Sequence, residues 1–385
     1  MTRSFLYIKA KITNAADGNN ADTVQIGPIN LPLQSMFSNV EVELCGKTVS
    51  DPNGLYAYRA YMETLLSYSK EVQESQLQSA GWYKDTGGKM DVAFSVGDDA
   101  TNAGLKSRAA MFSAGAEVEL TGRLHCDLFH QPKAIPQKCG MKIKLTPSKD
   151  AFMLMTGAAV DNDHPQVLHK FKILDPGLFI RELQVSSALV LAHQKVLADT
   201  NIRFPNRRVE MKHLSIAQGQ SSIAQDNIFM GQLPRRIAIG MVSDSSMSGH
   251  YQQNPFNFQH FDLNNIVLYV DAETFPKKPY EPNITTKQYL RDYLALFQGT
   301  DTMFSNRSIN ISRSDFDEGY ALWLFDLSND LGANNCMCLP RTGNVRLEIK
   351  FTKGTTATIN VICYAEYDSV IEIDKFRNVI APGSG

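Results

Sequence analysis

The sequence predicts an all-β protein with a few short inserted helices, arranged as two tandem sandwich domains. Three observations carry this: the length of 385 residues, short runs of alternating apolar and polar residues, and an order of elements that occurs twice. Single cores stop growing near about 250–300 residues, so a chain this long divides. A hydrophobic share of 43% with 20% charged residues is that of a folded globular protein. A net charge of −2 and a pI near 6.5 argue against a dedicated nucleic-acid binder.

The alternation comes first along the chain. Val40-Glu41-Val42-Glu43-Leu44 alternates, as do 118–120, 141–145 and 345–351. A period of two marks a half-buried strand. The runs 266–270 and 359–364 are more continuously apolar and read as strands covered on both faces. Gly, Pro, Asn and Asp recur between these runs, the spacing of a β sandwich.

Three segments carry a helical period instead. Leu55, Tyr58, Met62, Leu65 and Leu66 follow Asp51-Pro52-Asn53, which can cap a helix. Tyr289, Leu290, Tyr293, Leu294 and Phe297 follow Thr285-Thr286, with Gly299 as a stop. Ser186-Ser187 opens a third, with Leu189, Ala192, Val196 and Leu197 as its apolar positions. Few and short, they read as insertions between strands and not as crossovers of an α/β sheet.

The order strand, helix, strand, Pro-Gly turn, strand occurs in both halves. The strand at 40–44 precedes the 55–68 helix, as the strand at 266–270 precedes the 286–298 helix. A strand ending in Asp127-Leu128-Phe129 is expected to match 322–327. Pro136 and Gly140 precede the 141–145 strand, as Pro340 and Gly343 precede 345–351. The polar stretch Asp161-Asn162-Asp163-His164-Pro165 is the expected linker, dividing the chain into 1–163 and 164–385.

No catalytic motif is complete. Gly46-Lys47-Thr48 ends like a phosphate-binding loop, but Glu41 stands where its first glycine would be. There is no Gly-x-Ser-x-Gly elbow and no His-Glu-x-x-His helix. Cys336-Met337-Cys338 has one intervening residue and no second pair nearby, a weak zinc pattern. His125, Cys126 and His130 lie close in sequence, but on a strand His125 and Cys126 would face opposite sides and not share one ion, so a satisfied histidine and a buried thiol are expected. Asp98-Asp99 and Asp315 with Asp317 read as solvated loop carboxylates. Arg207-Arg208 and Arg235-Arg236 read as surface charge. No metal, cofactor or catalytic residue is expected. The six cysteines are expected to be thiols, and the Asn-x-Ser/Thr triplets at Asn283, Asn306 and Asn310 chance matches. No apolar run approaches the ~18–20 residues of a membrane span. Lys9 and Lys11 interrupt the first apolar stretch, so no signal peptide is expected and the protein is read as made and used inside a cell.

The run Asp51-Pro52-Asn53-Gly54-Leu55-Tyr56-Ala57-Tyr58-Arg59-Ala60-Tyr61-Met62-Glu63-Thr64-Leu65-Leu66-Ser67-Tyr68, with Glu74-Ser75-Gln76-Leu77 and Gly81-Trp82-Tyr83-Lys84-Asp85-Thr86, resembles the major capsid (hexon-like) proteins of the Polinton, or Maverick, and adintovirus group. Arg235-Arg236-Ile237-Ala238-Ile239-Gly240-Met241-Val242 and Asn264-Asn265-Ile266 are similar to the same group. The resemblance implies a double jelly roll. It further implies that three copies form a pseudo-hexameric homotrimer, and that trimers tile an icosahedral virion shell around double-stranded DNA without specific binding, with penton and minor capsid proteins as further partners. Assembly inside the host cell follows from the same likeness. Relatives carry more sequence before the first strand, so segments that lock neighbouring capsomers are expected to be short here.

Arg59 and Arg291, at matching places in the two helix insertions, are the expected assembly contacts. Two other readings stay open. A receptor- or carbohydrate-binding viral module would expose aromatic residues, with Tyr251, Phe256 and Phe258 the nearest candidates. A tandem-jelly-roll hydrolase would need converging carboxylates or histidines.

Overall fold

The computed structural model describes residues 3–20, 26–92, 101–157, 169–328 and 339–381. The expected linker, Asp98-Asp99 and the Cys336–Cys338 pair lie outside the described residues. The chain is mostly β. In its first part the strands are β1 (Phe5–Asn14), β2 (Ile26–Pro28), β3 (Phe37–Leu44), β4 (Lys47–Thr48), β5 (Val118–Gly122), β6 (Met141–Pro147), β7 (Leu154–Thr156) and β8 (His169–Phe179). There follow β9 (Ile202–Ile216), β10 (Ser222–Gln232), β11 (Arg236–Ser243), β12 (Leu263–Val270), β13 (Glu273–Tyr280), β14 (Leu322–Asp326), β15 (Thr342–Phe351), β16 (Ile359–Ile373) and β17 (Val379–Ile380). The helices are α1 (Pro32–Ser35), α2 (Tyr56–Ser67), α3 (Lys70–Gln73), α4 (Ala103–Met111), α5 (Asp127–His130), α6 (Asp150–Met153), α7 (Ser187–Asp199), α8 (Asp244–Ser248), α9 (Leu290–Gly299) and α10 (Arg313–Phe316).

The sheets fall into two sets. The first has the orders β5-β1-β8 and β4-β3-β6, with β2 paired to β7. The second has β10-β15-β12-β13 and β14-β11-β16, the latter extended by β9 and β17 on β16. Pairing of β1 with β8 runs from Phe5↔Phe179 to Asn14↔His169, so the first sheet reaches past residue 163. The period-two runs lie where their pattern puts them. In β3, Val40, Val42 and Leu44 are buried, and the glutamates between them face the lysines of β6, Glu41 to Lys144 at 3.5 Å and Glu43 to Lys142 at 3.2 Å. In β16, Ile359–Ala365 is buried throughout, as its largely apolar run predicts for a strand covered on both faces, with the polar Asn360 held by Ser215 and Asp244.

All three helical segments form, with different starts. Asn53 Oδ1 accepts from the Leu55 amide at 3.0 Å, but the N-cap of α2 is Leu55, without a side-chain cap. Similarly, α9 begins at Leu290, later than Thr285-Thr286 suggests, and its N-cap Tyr289 gives no side-chain capping bond. Only α7 is capped as read, with Ser186 Oγ accepting from the Leu189 amide. Tyr56 to Leu65 is buried on every face of α2, so packing, and not a cap, fixes that helix.

One expected strand is absent. β5 stops at Gly122, and 127–130 forms the helical turn α5, whereas the corresponding 322–326 is the strand β14. Asp127 is buried and ion-paired there, which holds the turn against the extended form. The core is continuous across both sheet sets. Tyr61 stacks on Phe256 with ring centroids 4.1 Å apart, Tyr58 meets Phe256 edge-on at 5.6 Å, and Lys84 pairs with Asp315 at 2.6 Å.

Helix α9 packs on β14, where Trp323 Nε1 donates to Asp292 Oδ1 at 3.1 Å. Burial raises the Asp292 carboxyl from 3.8 to about 6, opposed by the Trp323 hydrogen bond and by Arg291. The folded chain therefore binds this proton more tightly than the unfolded chain. The contribution is fullest below the ordinary value of 3.8 and is lost as pH rises through about 6, on the order of 2–3 kcal/mol. Asn can still accept from Trp323 and carries no charge. Asp292→Asn is thus expected to be the more stable form at pH 8 and to flatten the pH dependence of the urea midpoint. Superimposable profiles for the two proteins would refute this.

Candidate functional site

The two arginines expected at assembly contacts occupy opposite environments. Arg59 is only 6% exposed. Its Nε donates to Glu63 Oε1 at 2.9 Å and its Nη2 to Asp127 Oδ1 at 2.5 Å. It is spent within its own chain, because α2 is an interior helix and not an outer insertion. Arg291 is exposed on α9. It donates to the Pro279 and Lys278 carbonyls and lies 5.0 Å over the Tyr280 ring.

Around Arg59 the fold gathers a polar cluster. Glu63 Oε2 is 2.6 Å from His125 Nδ1 and 3.9 Å from His130 Nε2. Glu63 is one turn beyond Arg59 on α2, His125 precedes α5, and His130 ends it. The His125 amide donates to the Tyr56 hydroxyl at 3.2 Å, and the Val209 amide of β9 donates to Asp127 Oδ1 at 3.3 Å. The cluster thus sits where the two sheet sets meet. Burial alone would raise the Glu63 carboxyl, but the Arg59 guanidinium and the His125 ring outweigh it and hold it well below the carboxylate range. Burial raises Asp127 against the pull of Arg59. Burial also lowers the His130 imidazole, tempered by the 32% of its side chain that stays exposed. Cys126, buried beside them, is pushed up to about 12 and stays a thiol.

Sequence reasoning placed His125, Cys126 and His130 near one another but missed Glu63. The segment is not a strand, so the argument that adjacent side chains face apart does not apply. The one local signal was the Arg59–Glu63 pair at helical spacing.

Several other expectations change with the fold. Asp315 is not a solvated loop carboxylate; it closes a capping box with Ser312 and pairs with Lys84. Asp317 is covered and meets Lys287 at 3.3 Å. Arg235 is buried 3.8 Å from Asp368, Arg236 meets Asp301 at 3.0 Å, and Arg208 lies 4.1 Å over the Tyr367 ring. These basic pairs sit where β9 and β11 flank the acidic residues of β16, so they are not plain surface charge. Tyr251, Phe256 and Phe258 are core residues. Cys45, Cys126, Cys139 and Cys363 are thiols.

Two surface features remain. An open cleft of about 1160 Å³, lined among others by Lys47, Asp51, Arg208, Glu210 and Lys212, follows the seam between β4 and β9. The second is an apolar ridge from the end of β8 through α7. Phe179, Ile180, Leu183, Val185, Leu189, Leu191 and Val196 are all exposed, Leu191 by 66%. Of the α7 residues only Leu197 is buried. No helix among the described residues is long and apolar enough to cross a membrane.

No protein-family model matches the chain. An uncharacterized protein of Caenorhabditis elegans is 24% identical over 374 residues, 96% of this chain and 85% of that protein. Among solved structures, a chain of the Sputnik virophage is 12% identical with a TM-score of 0.62, over 99% of this chain and 82% of that one. A chain of the PBCV-1 virus capsid is 9% identical with a TM-score of 0.55, over 99% and 89%. The mavirus major capsid protein is 13% identical with a TM-score of 0.51, over 98% and 83%. The chain has the double-jelly-roll fold of these viral proteins.

Proposed function

We propose that this chain is a viral major capsid protein that self-associates as a pseudo-hexameric homotrimer and tiles an icosahedral shell around double-stranded DNA. The observation that carries the reading is the α7 ridge on a double jelly roll. A helix of this length is marginal in water without a packed face, and apolar patches of this kind mark protein interfaces. A second copy of the chain is the proposed cover, since two similar sandwiches in one chain let a threefold assembly approximate a sixfold tile. Arg291, exposed on α9, is kept as a further proposed contact. Penton and minor capsid proteins are the proposed further partners, and the virion, assembled in the host cell, the proposed location. No catalytic role is proposed.

We propose that the chain belongs to the Polinton/Maverick–adintovirus group. The 51–68 run supports this, as do the likeness to the mavirus major capsid protein and a relative carried by an animal. We place the division between the jelly rolls after β8, in the stretch bearing α7, because β8 is hydrogen-bonded along β1. The receptor-module reading loses its support with Tyr251, Phe256 and Phe258 in the core.

Light scattering on the purified chain is expected to give three times 42.9 kDa. Leu191→Glu with Val196→Glu is expected to leave a folded monomer, weakening association at least about tenfold. A wild-type chain that stays monomeric, or a double variant that still trimerises, would sink the proposal.

A further inference from the structure

We infer that Glu63, His125 and His130 form a binding site for a divalent transition-metal ion of the zinc class. The three ligand atoms lie within 4.8 Å of one another. Metal–ligand bonds of about 2.0–2.1 Å in a tetrahedral set place neighbouring ligand atoms about 3.3 Å apart. The distances of 2.6 and 3.9 Å from Glu63 Oε2 to His125 Nδ1 and His130 Nε2 bracket that value. Two imidazole nitrogens and one carboxylate oxygen suit zinc or cobalt(II) and not magnesium or calcium, which take oxygen sets.

The surroundings are built for such an ion. Arg59 holds Glu63 Oε1, so Oε2 is turned toward both rings, and Asp127 holds the far end of Arg59. Partners of this kind orient ligands and tune affinity. Within the buried ion set one arginine faces two carboxylates, an excess of one negative charge, while Arg123 acts on His130 from the exposed side. A dication held by neutral rings meets that excess. So does a proton on an imidazole, and the experiment separates the two. An entering cation takes the place of the proton between His125 Nδ1 and Glu63 Oε2. His130, with its partly exposed side chain, supplies the way in, and a water completes the fourth position. Because Asp127 also accepts from Val209, the bound ion clamps α2 to α5 next to β9, at the seam of the two sheet sets.

The test uses the full chain, stripped with EDTA and desalted, then titrated with zinc chloride by calorimetry and assayed for bound metal. The expected result is one zinc per chain, a higher thermal midpoint, and no response to magnesium. Cobalt(II) should give tetrahedral d–d bands without a thiolate-to-metal band. His130→Ala, at the partly exposed edge, is expected to keep the metal-free midpoint and to bind zinc at least tenfold more weakly. His125→Asn should do the same, as it can still hydrogen-bond Glu63. Cys336→Ser with Cys338→Ser is expected to bind as the parent does, since that pair is the competing soft site in the sequence. Absence of stoichiometric uptake, uptake unchanged in both histidine variants, or uptake lost with the cysteines would each overturn the assignment.

Discussion

Arg59→Met is expected to destabilise the chain by about 3–5 kcal/mol, read as a lower urea midpoint in metal-free buffer. Removing one member of a buried ion set leaves the remaining charges desolvated and unpaired, and that penalty exceeds the worth of the lost contact. Here the abandoned groups are Glu63 and Asp127, each with about 4–8% of its side chain exposed. Neutralising the whole set should be far milder, because amides keep the hydrogen bonds without the charge. Arg59→Met combined with Glu63→Gln and Asp127→Asn is therefore expected to recover most of the loss. Failure of the triple variant to outperform the single one would show that the packing of the side-chain stem, and not stranded charge, sets the cost. This is a fold effect seen in the isolated chain, in contrast to the assembly effect expected at Arg291.

Arg108→Met is expected to cost a similar amount, about 3–5 kcal/mol. Arg108 on α4 and Asp85 have fully buried side chains, 2.6 Å apart. The same guanidinium donates through Nε to the Pro28 carbonyl at 2.8 Å and through Nη1 to the Tyr83 carbonyl at 2.6 Å. One planar fork thus ties α4 to β2 and to the 83–85 segment. The Tyr320 hydroxyl reaches the Asp85 carbonyl at 2.7 Å, so the second sheet set depends on the same segment. Gly104 lets α4 approach this closely: a Cβ there would lie 2.4 Å from the Lys84 carbonyl oxygen. Arg108→Lys keeps the charge but not the three-way geometry, so it should rescue only part of the loss. Equal midpoints for Arg108→Lys and the parent would refute the geometric argument.

The strands legible by alternation share one property: a single face is wet, so apolar and polar side chains alternate locally. That is true of β3, β6 and β15. The long strand β9 was not read, although it pairs with β16 over its whole length from Ile202 to Ile216. Pro205, Arg207 and Arg208 break its apolar pattern. Pro205 is tolerated because, among the described residues, β9 pairs on one side only, with β16, so a missing amide costs little, and Arg208 is held over Tyr367 and beside Glu210. The turn at 127–130 was misread for the opposite reason. Leu128 and Phe129 are apolar enough for a strand, and what selects the helical turn is the contact of Asp127 with Arg59, 68 residues away.

The candidate site follows the same division. The sequence by itself determined the β character, the three helical segments, the tandem order of elements apart from the 127–130 turn, and the proximity of His125 to His130. All of these are local consequences of periodicity and spacing. Only the tertiary structure decided that Arg59 is interior, that Glu63 joins the histidines across 62 residues, and that α7 leaves all its side chains but Leu197 outside the core. Whether a charge or an apolar face is costly depends on what covers it, and that cover comes from distant parts of the chain, which no local pattern encodes.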